Sequence, residues 1–182
     1  RILALDGGGI RGAFTASVLA TLEELLGEPV GDRFDLIAGT STGGILSIGL
    51  GMGLKPADML RFYRDRGPVI FPITRFHSYW MREFLHLVKP KYSQRVLLSE
   101  IRSAYFPGGH EKTLGESKCR LVIPAYDATS GVCHIFRTPH HALLTTDEST
   151  NAAEVALATS AAPTYFSAAK VRNMIANAPY FD

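Results

Sequence analysis

The chain has 182 residues, of which 46% are hydrophobic and 20% charged; this is enough to bury one substantial core, excludes a disordered or collagen-like chain, and makes one domain over residues 1–182 the expectation. Its 19 lysines and arginines are interspersed with 17 acidic residues for a formal net charge of +2, so no nucleic-acid partner is expected, whereas weak attraction to an anionic lipid surface is compatible. The longest apolar stretch, Gly44 to Leu54, is shorter than a bilayer crossing needs and no basic-then-apolar signal peptide opens the chain, which gives a cytoplasmic or peripheral membrane location as the expectation.

The run Ile2-Leu3-Ala4-Leu5 reads as a buried parallel strand feeding the turn Asp6-Gly7-Gly8-Gly9. From Ile10 to Leu26 the residues Phe14, Val18, Leu22, Leu25 and Leu26 recur at helical spacing, with Glu23 and Glu24 opposite and Gly27 as the stop, so those apolar residues are expected to face the core. A second strand over Phe34 to Thr40 completes a βαβ unit. Thr42 to Leu54 is apolar on all sides and predicts a buried helix. Pro56 opens a further helix, with Met59, Leu60, Phe62 and Tyr63 on its apolar side, which Gly67-Pro68 should end near Arg66.

Val69 to Tyr92 is aromatic, basic and rich in breakers. It reads as an irregular packed subregion or, alternatively, as a lid or membrane-touching surface over residues 71–92, with Tyr79 and Trp80 at headgroup level. Ser93 caps a helix to Tyr105. Leu121 to Ile123 and Val132 to Phe136 are predicted strands joined by a turn at Asp127 to Gly131, and Thr150-Asn151 caps a last helix to about Ala162, before Pro163. Pairing about that turn sets Cys133 opposite Ala125, so Cys119 and Cys133 are not expected to form a disulfide. With no companion ligands they make no zinc site. The chain starts at Arg1 and stops at Asp182 within a predicted strand, which reads as a domain truncated at its C-terminal end.

Two glycine-rich turns carry the chemistry. Gly39-Thr40-Ser41-Thr42-Gly43 lies between a predicted strand and a predicted helix. A serine at such an elbow is held strained with its hydroxyl projecting, and glycines two residues before and after it avoid a clash. Ser41 is therefore the candidate nucleophile, with Gly39 and Gly43 shaping the elbow. Asp6 to Gly12 sits at the carboxyl end of the first strand, where open α/β sheets bind ligands. Its Gly7, Gly8 and Gly9 amides can meet a phosphate or a tetrahedral oxyanion, and Arg11 adds a positive charge. A P-loop would end Gly-Lys-Ser/Thr, whereas this one ends Arg11-Gly12-Ala13. A Rossmann site would place an acid where Gly39-Thr40-Ser41 stand. Oxyanion donors and a nucleophile at one edge of a βαβ unit instead suit acyl transfer.

The pair of motifs Asp6-Gly-Gly-Gly-Ile-Arg-Gly12 and Gly39-Thr-Ser-Thr-Gly43 resembles the patatin-like phospholipases. The resemblance continues through Leu121-Val-Ile-Pro-Ala-Tyr-Asp127 and Ala158-Thr-Ser-Ala-Ala-Pro-Thr-Tyr-Phe166. It implies an α/β fold, a three-layer α/β/α sandwich with a mostly parallel sheet. It also implies hydrolysis of phospholipid or other acyl-lipid esters by a serine and aspartate dyad, without histidine, metal or cofactor. Tyr180-Phe181-Asp182 matches the approach to the family's catalytic aspartate motif, which makes Asp182 the implied general base for Ser41.

Two other readings stand beside this one. The Gly7–Gly9 loop could hold a phosphate or nucleotide in a module without catalysis. Alternatively, His140 or His141, which follow Asp127 in chain order, could complete a Ser-His-Asp esterase. His77, His86, His110 and His134 have no companions at useful spacing, and Ser47 and Ser160 read as helix-interior packing.

Overall fold

The computed structural model describes residues 1–70, 92–141, 143–163, 165–171 and, by their backbone, 179–181. Strand β1 (Ile2–Leu5) pairs parallel with β2 (Leu36–Gly39), and β2 parallel with β3 (Arg120–Asp127). Against this parallel centre β4 (Val132–Arg137) forms a hairpin with β3, and β5 (Ala169–Lys170) and β6 (Pro179–Phe181) add antiparallel pairs. The order is β1-β2-β3-β6-β5 with β4 beside β3. At Val122 strand β3 pairs with β2 on one edge and β4 on the other, and at Tyr126 with β4 and β6. Among the described residues, strands β2 and β6 therefore lie end to end along one edge of β3, with Ile123–Ala125 between their pairings.

The helices are α1 (Gly12–Leu26), α2 (Thr42–Gly51), α3 (Pro56–Ile70), α4 (Gln94–Tyr105) and α5 (Ala152–Thr159). The steps from β1 to β2 and from β2 to β3 run in the same direction, so right-handed crossovers put α1 and α2 on the same face of the sheet. Helices α2 and α5 pack on the strands, and α1, α3 and α4 cover them. That double cover explains why every residue of α2 and of α5 is buried. The sheet face beneath them carries Ile37, Leu121, Ile123 and Phe136 without measurable exposure. On the other face Ile2, Tyr126 and Ile135 are exposed.

Helix α1 departs from expectation. It starts at Gly12 after a single 3₁₀ turn over Gly9–Arg11, and its core side is Gly12, Ala16 and Leu19. Of the five residues expected to face the core, Leu22 is half-buried and packs against it, whereas Phe14, Val18 and Leu25 are 76%, 51% and 80% exposed and Leu26 is also exposed. Close approach is the reason: a Cβ on Gly12 would lie 3.1 Å from both Thr42 Cβ and the Tyr63 ring, so small side chains occupy the seam. Glu23, expected to face away, instead accepts a hydrogen bond from the Val30 amide at 2.9 Å.

Other boundaries shift by a few residues. Helix α2 ends at Gly51, followed by Gly53 at φ 83. Helix α3 continues past Gly67-Pro68 to Ile70, whose burial in the core offsets the hydrogen bond lost at Pro68. Helix α5 ends at Thr159, three residues before Ala162. Ser93 caps α4 and Asn151 caps α5. In the hairpin Cys133 faces Tyr126, and His134 faces Ala125, one register step from the expected pairing. Both cysteines are free. Among the described residues no helix is long and apolar enough to cross a membrane.

The inverted face of α1 is testable by chemical denaturation. Leu19→Ala is expected to destabilise the protein by about 2–4 kcal/mol, whereas Phe14→Ala is expected to change stability by no more than about 0.5 kcal/mol.

Candidate active site

Strand β2 runs directly into the elbow. The Thr40 amide donates to the Leu5 carbonyl at 3.3 Å and the Gly43 amide to the Thr40 carbonyl at 2.9 Å, closing the turn. Ser41 between them has φ 55 and ψ −126, the only positive φ at a non-glycine residue among those described. Such a conformation costs on the order of 1–3 kcal/mol and persists only where the surroundings enforce it. A Cβ at Gly39 would collide with the Gly43 carbonyl and Ser47 Oγ, and one at Gly43 with the Leu5 carbonyl. Helix α2 begins at Thr42, so its positive dipole end lies at the serine.

The glycine loop lies across this elbow. A Cβ at Gly7 would sit 2.8 Å from Ser41 Cβ and 3.0 Å from the Thr40 carbonyl oxygen. The Gly8 amide donates to Thr42 Oγ1 at 2.9 Å, tying the loop to the first residue of α2. The Arg11 amide and Nε both donate to the Gly8 carbonyl, at 3.1 and 3.4 Å, and Gly9 takes φ 58. Tyr63 donates to the Thr42 carbonyl at 3.4 Å. Burial holds its phenol far above the ordinary tyrosine range, so it stays a neutral donor. Loop, elbow and helix start thus form one hydrogen-bonded unit.

Ser41 and Gly7–Arg11 line a cavity of about 500 Å³. Its wall is mostly apolar, formed by Ile45, Phe62, Ile70, Leu97, Tyr165 and Phe166 among others. Tyr92 stacks on Tyr165 at 6.0 Å between ring centroids and packs against Phe166 at 5.7 Å. This size and this balance of one polar end and an apolar body are usual for a small-molecule site. A serine, glycine-loop amides and an apolar recess at one place can hold an ester, attack it and shelter the intermediate from water.

The histidines lie elsewhere. His140 lines a separate polar cleft with Phe34, Asp35, Arg120 and Thr138, where β2 and β3 begin. Ser41 follows the opposite end of β2. His141 is exposed and accepts a bond from the Leu143 amide. The structure therefore does not bring either one to the serine. His134 does have a companion, Asp147, whose carboxylate lies 3.3 Å away and also accepts from the Arg137 amide. Ser47 and Ser160 donate to helix carbonyls four residues back, as packing residues do. Asp182, residues 71–91 and their His77 and His86 lie outside the described residues. Among the described residues no cluster of three or more His, Cys, Asp or Glu could hold a metal.

Two threonines of the site stand inside motifs quoted from the sequence, but the sequence assigned neither of them a role. Thr42 holds the glycine loop, and Thr159, at the end of α5, accepts from the Ser41 amide at 3.0 Å and donates to the Pro124 carbonyl at 2.7 Å. The Ser41–Thr159 pair is 118 residues apart in the chain, beyond any local pattern.

The chain is similar to known proteins in sequence and in fold. The family model described as patatin-like phospholipase matches residues 3–182. A cGAMP-activated phospholipase of Vibrio cholerae is 40% identical over 176 residues, covering 91% of this chain and 49% of the relative. Patatin-like protein 1 of Oryza sativa subsp. indica is 37% identical over 185 residues, covering 92% and 42%. The chain thus spans about half or less of these relatives' length. Among solved structures, VipD from Legionella pneumophila superposes with a TM-score of 0.58 at 15% identity, over 100% of this chain and 45% of VipD. The ExoU–SpcU complex from Pseudomonas aeruginosa gives 0.51 at 20%, over 89% and 36%. At these identities the two structures speak for a shared fold.

Because a Cβ at Gly43 meets backbone that cannot swing aside, Gly43→Ala is expected to destabilise the protein by more than about 3 kcal/mol. Gly27→Ala, at φ 69 in open space, should cost only about 1 kcal/mol, its left-handed strain alone. Thermal unfolding of the two variants checks the difference.

Proposed function

The chain belongs to the patatin-like phospholipase family, and from that membership and the geometry around Ser41 we propose that it hydrolyses acyl esters of lipids, phospholipids included. The observation that carries the proposal is Ser41 itself, strained at φ 55 immediately before a buried helix and facing a glycine loop inside a largely apolar cavity.

In the proposed reaction Ser41 Oγ attacks the ester carbonyl while a carboxylate takes its proton. The oxyanion is held by loop amides, the alcohol leaves with the proton, and water then releases the acyl group. The Gly8 amide is engaged by Thr42 Oγ1, so the donors in this proposal are Gly7 and Gly9, with Arg11 keeping the loop shape through the Gly8 carbonyl. The apolar wall takes the acyl chain. Asp182 is proposed as the base. The support is topological: β6 brings the chain to Phe181, opposite Tyr126, on the edge of β3 that β2 also occupies. A carboxylate near its ordinary pKa of about 4 is a weak base for a hydroxyl, so positioning and exclusion of water must supply much of the acceleration.

Ser41→Ala and Asp182→Asn are each expected to lower hydrolysis of a phosphatidylcholine or p-nitrophenyl ester by at least about 10³-fold without loss of fold. His140→Ala and His141→Ala should leave it intact. A fluorophosphonate probe is expected to label Ser41. An unlabelled serine in folded protein would favour a phosphate-binding module, and loss of activity in a histidine variant but not in Asp182→Asn would replace the dyad with a triad.

A further inference from the structure

We propose that Thr159 is a positioning residue for the nucleophile, coupling Ser41 to the central strand through its side-chain hydroxyl; this rests on the reading of Ser41 as the nucleophile. Strand β2 pairs with β3 up to Val122 and β6 pairs with it from Tyr126, so among the described residues no strand pairs with the edge between. Pro124 stands in this stretch. Its carbonyl is bound by Thr159 Oγ1 at 2.7 Å, and in a regular strand the nitrogen of the same residue faces the same edge. A proline therefore fits at this point of a central strand, because no described strand pairs with the edge its nitrogen faces.

The same oxygen accepts the Ser41 amide at 3.0 Å. One hydroxyl donates to β3 and accepts from the elbow, a pair of roles no aliphatic side chain of that shape can fill. Thr159 has no measurable exposure, so water cannot replace it without opening the core. Gly44 also falls into place: a Cβ there would lie 2.6 Å from Thr159 Cγ2 and 3.1 Å from its Oγ1. The glycine after the elbow motif makes room for this threonine. A left-handed serine with its amide tied down has its Cα–Cβ bond aimed in one direction, and reaction rates respond steeply to such aim. The Ser41 amide, being occupied, is not an oxyanion donor.

The test compares Thr159→Val, which keeps the shape and removes both bonds, with Thr159→Ser, which keeps the hydroxyl. In Thr159→Val, kcat per probe-titrated serine on a p-nitrophenyl ester is expected to fall by about ten- to a hundredfold with KM little changed. Amide hydrogen exchange in the Gly39–Gly44 segment should become faster. Thr159→Ser should restore both. Unchanged kcat and exchange in Thr159→Val would overturn the proposal, as would equal losses in both variants, which would make the residue a space-filler. A wild-type protein that neither takes the probe nor cleaves esters would overturn the hydrolase reading instead. The exchange comparison would then still decide whether Thr159 holds the Ser41 amide.

Discussion

The contact on which the site depends is backbone against backbone: the first turn of α2 at Gly43 lies on the carbonyl that ends β1 at Leu5. No side chain intervenes, so the end of β1 and the start of α2 are locked at van der Waals distance. Because the glycine loop follows β1 and Ser41 precedes α2, that lock sets the loop over the serine. Thr42 and Arg11 then secure the loop, through the Gly8 amide and carbonyl respectively. Remove the closeness at Gly43 and the bond from the Gly8 amide to Thr42 cannot form in its present geometry.

The remaining architecture serves to keep this junction in place. Helix α2 is buried on every side because α1 and α3 cover it from above and the sheet supports it below. Burial excludes water from its backbone, which makes local unwinding at the serine costly. The phenols of Tyr63 and Tyr105, held neutral by burial, donate to the Thr42 and Ile45 carbonyls in the first turn of that helix. Both carbonyls belong to residues that line the cavity with Ser41.

What could be read from the sequence follows the range of the interactions. The elbow and the glycine loop were legible because their requirements fall on backbone and are met by glycines at fixed short spacings, Gly39 and Gly43 around Ser41. The alternation of strands and helices was legible for the same reason of local periodicity. The face of α1 was legible only at Leu22: helical spacing identifies a stripe at Phe14, Val18, Leu22, Leu25 and Leu26, but says nothing about the distance at which the neighbouring helices pack. That distance selected Gly12 and Ala16 for the seam instead. The roles of Thr42 and Thr159 could not be read because each acts through space, on Gly8 and on Ser41 and Pro124. The companion of His134 was missed likewise, since Asp147 comes from beyond the hairpin.

The glycine contacts divide the site by how readily it can change. Its reacting end is shaped by main-chain atoms that every substitution at Gly39 or Gly43 would disturb, so selection has almost no neutral path there. Its apolar wall is built from side chains such as Phe62, Leu97 and Tyr165 on three separate segments, each replaceable by another apolar residue at modest cost. Sequence change within such a fold is then expected to accumulate on the wall while the glycine-framed end stays fixed, and any change in what the cavity accepts has its natural targets there.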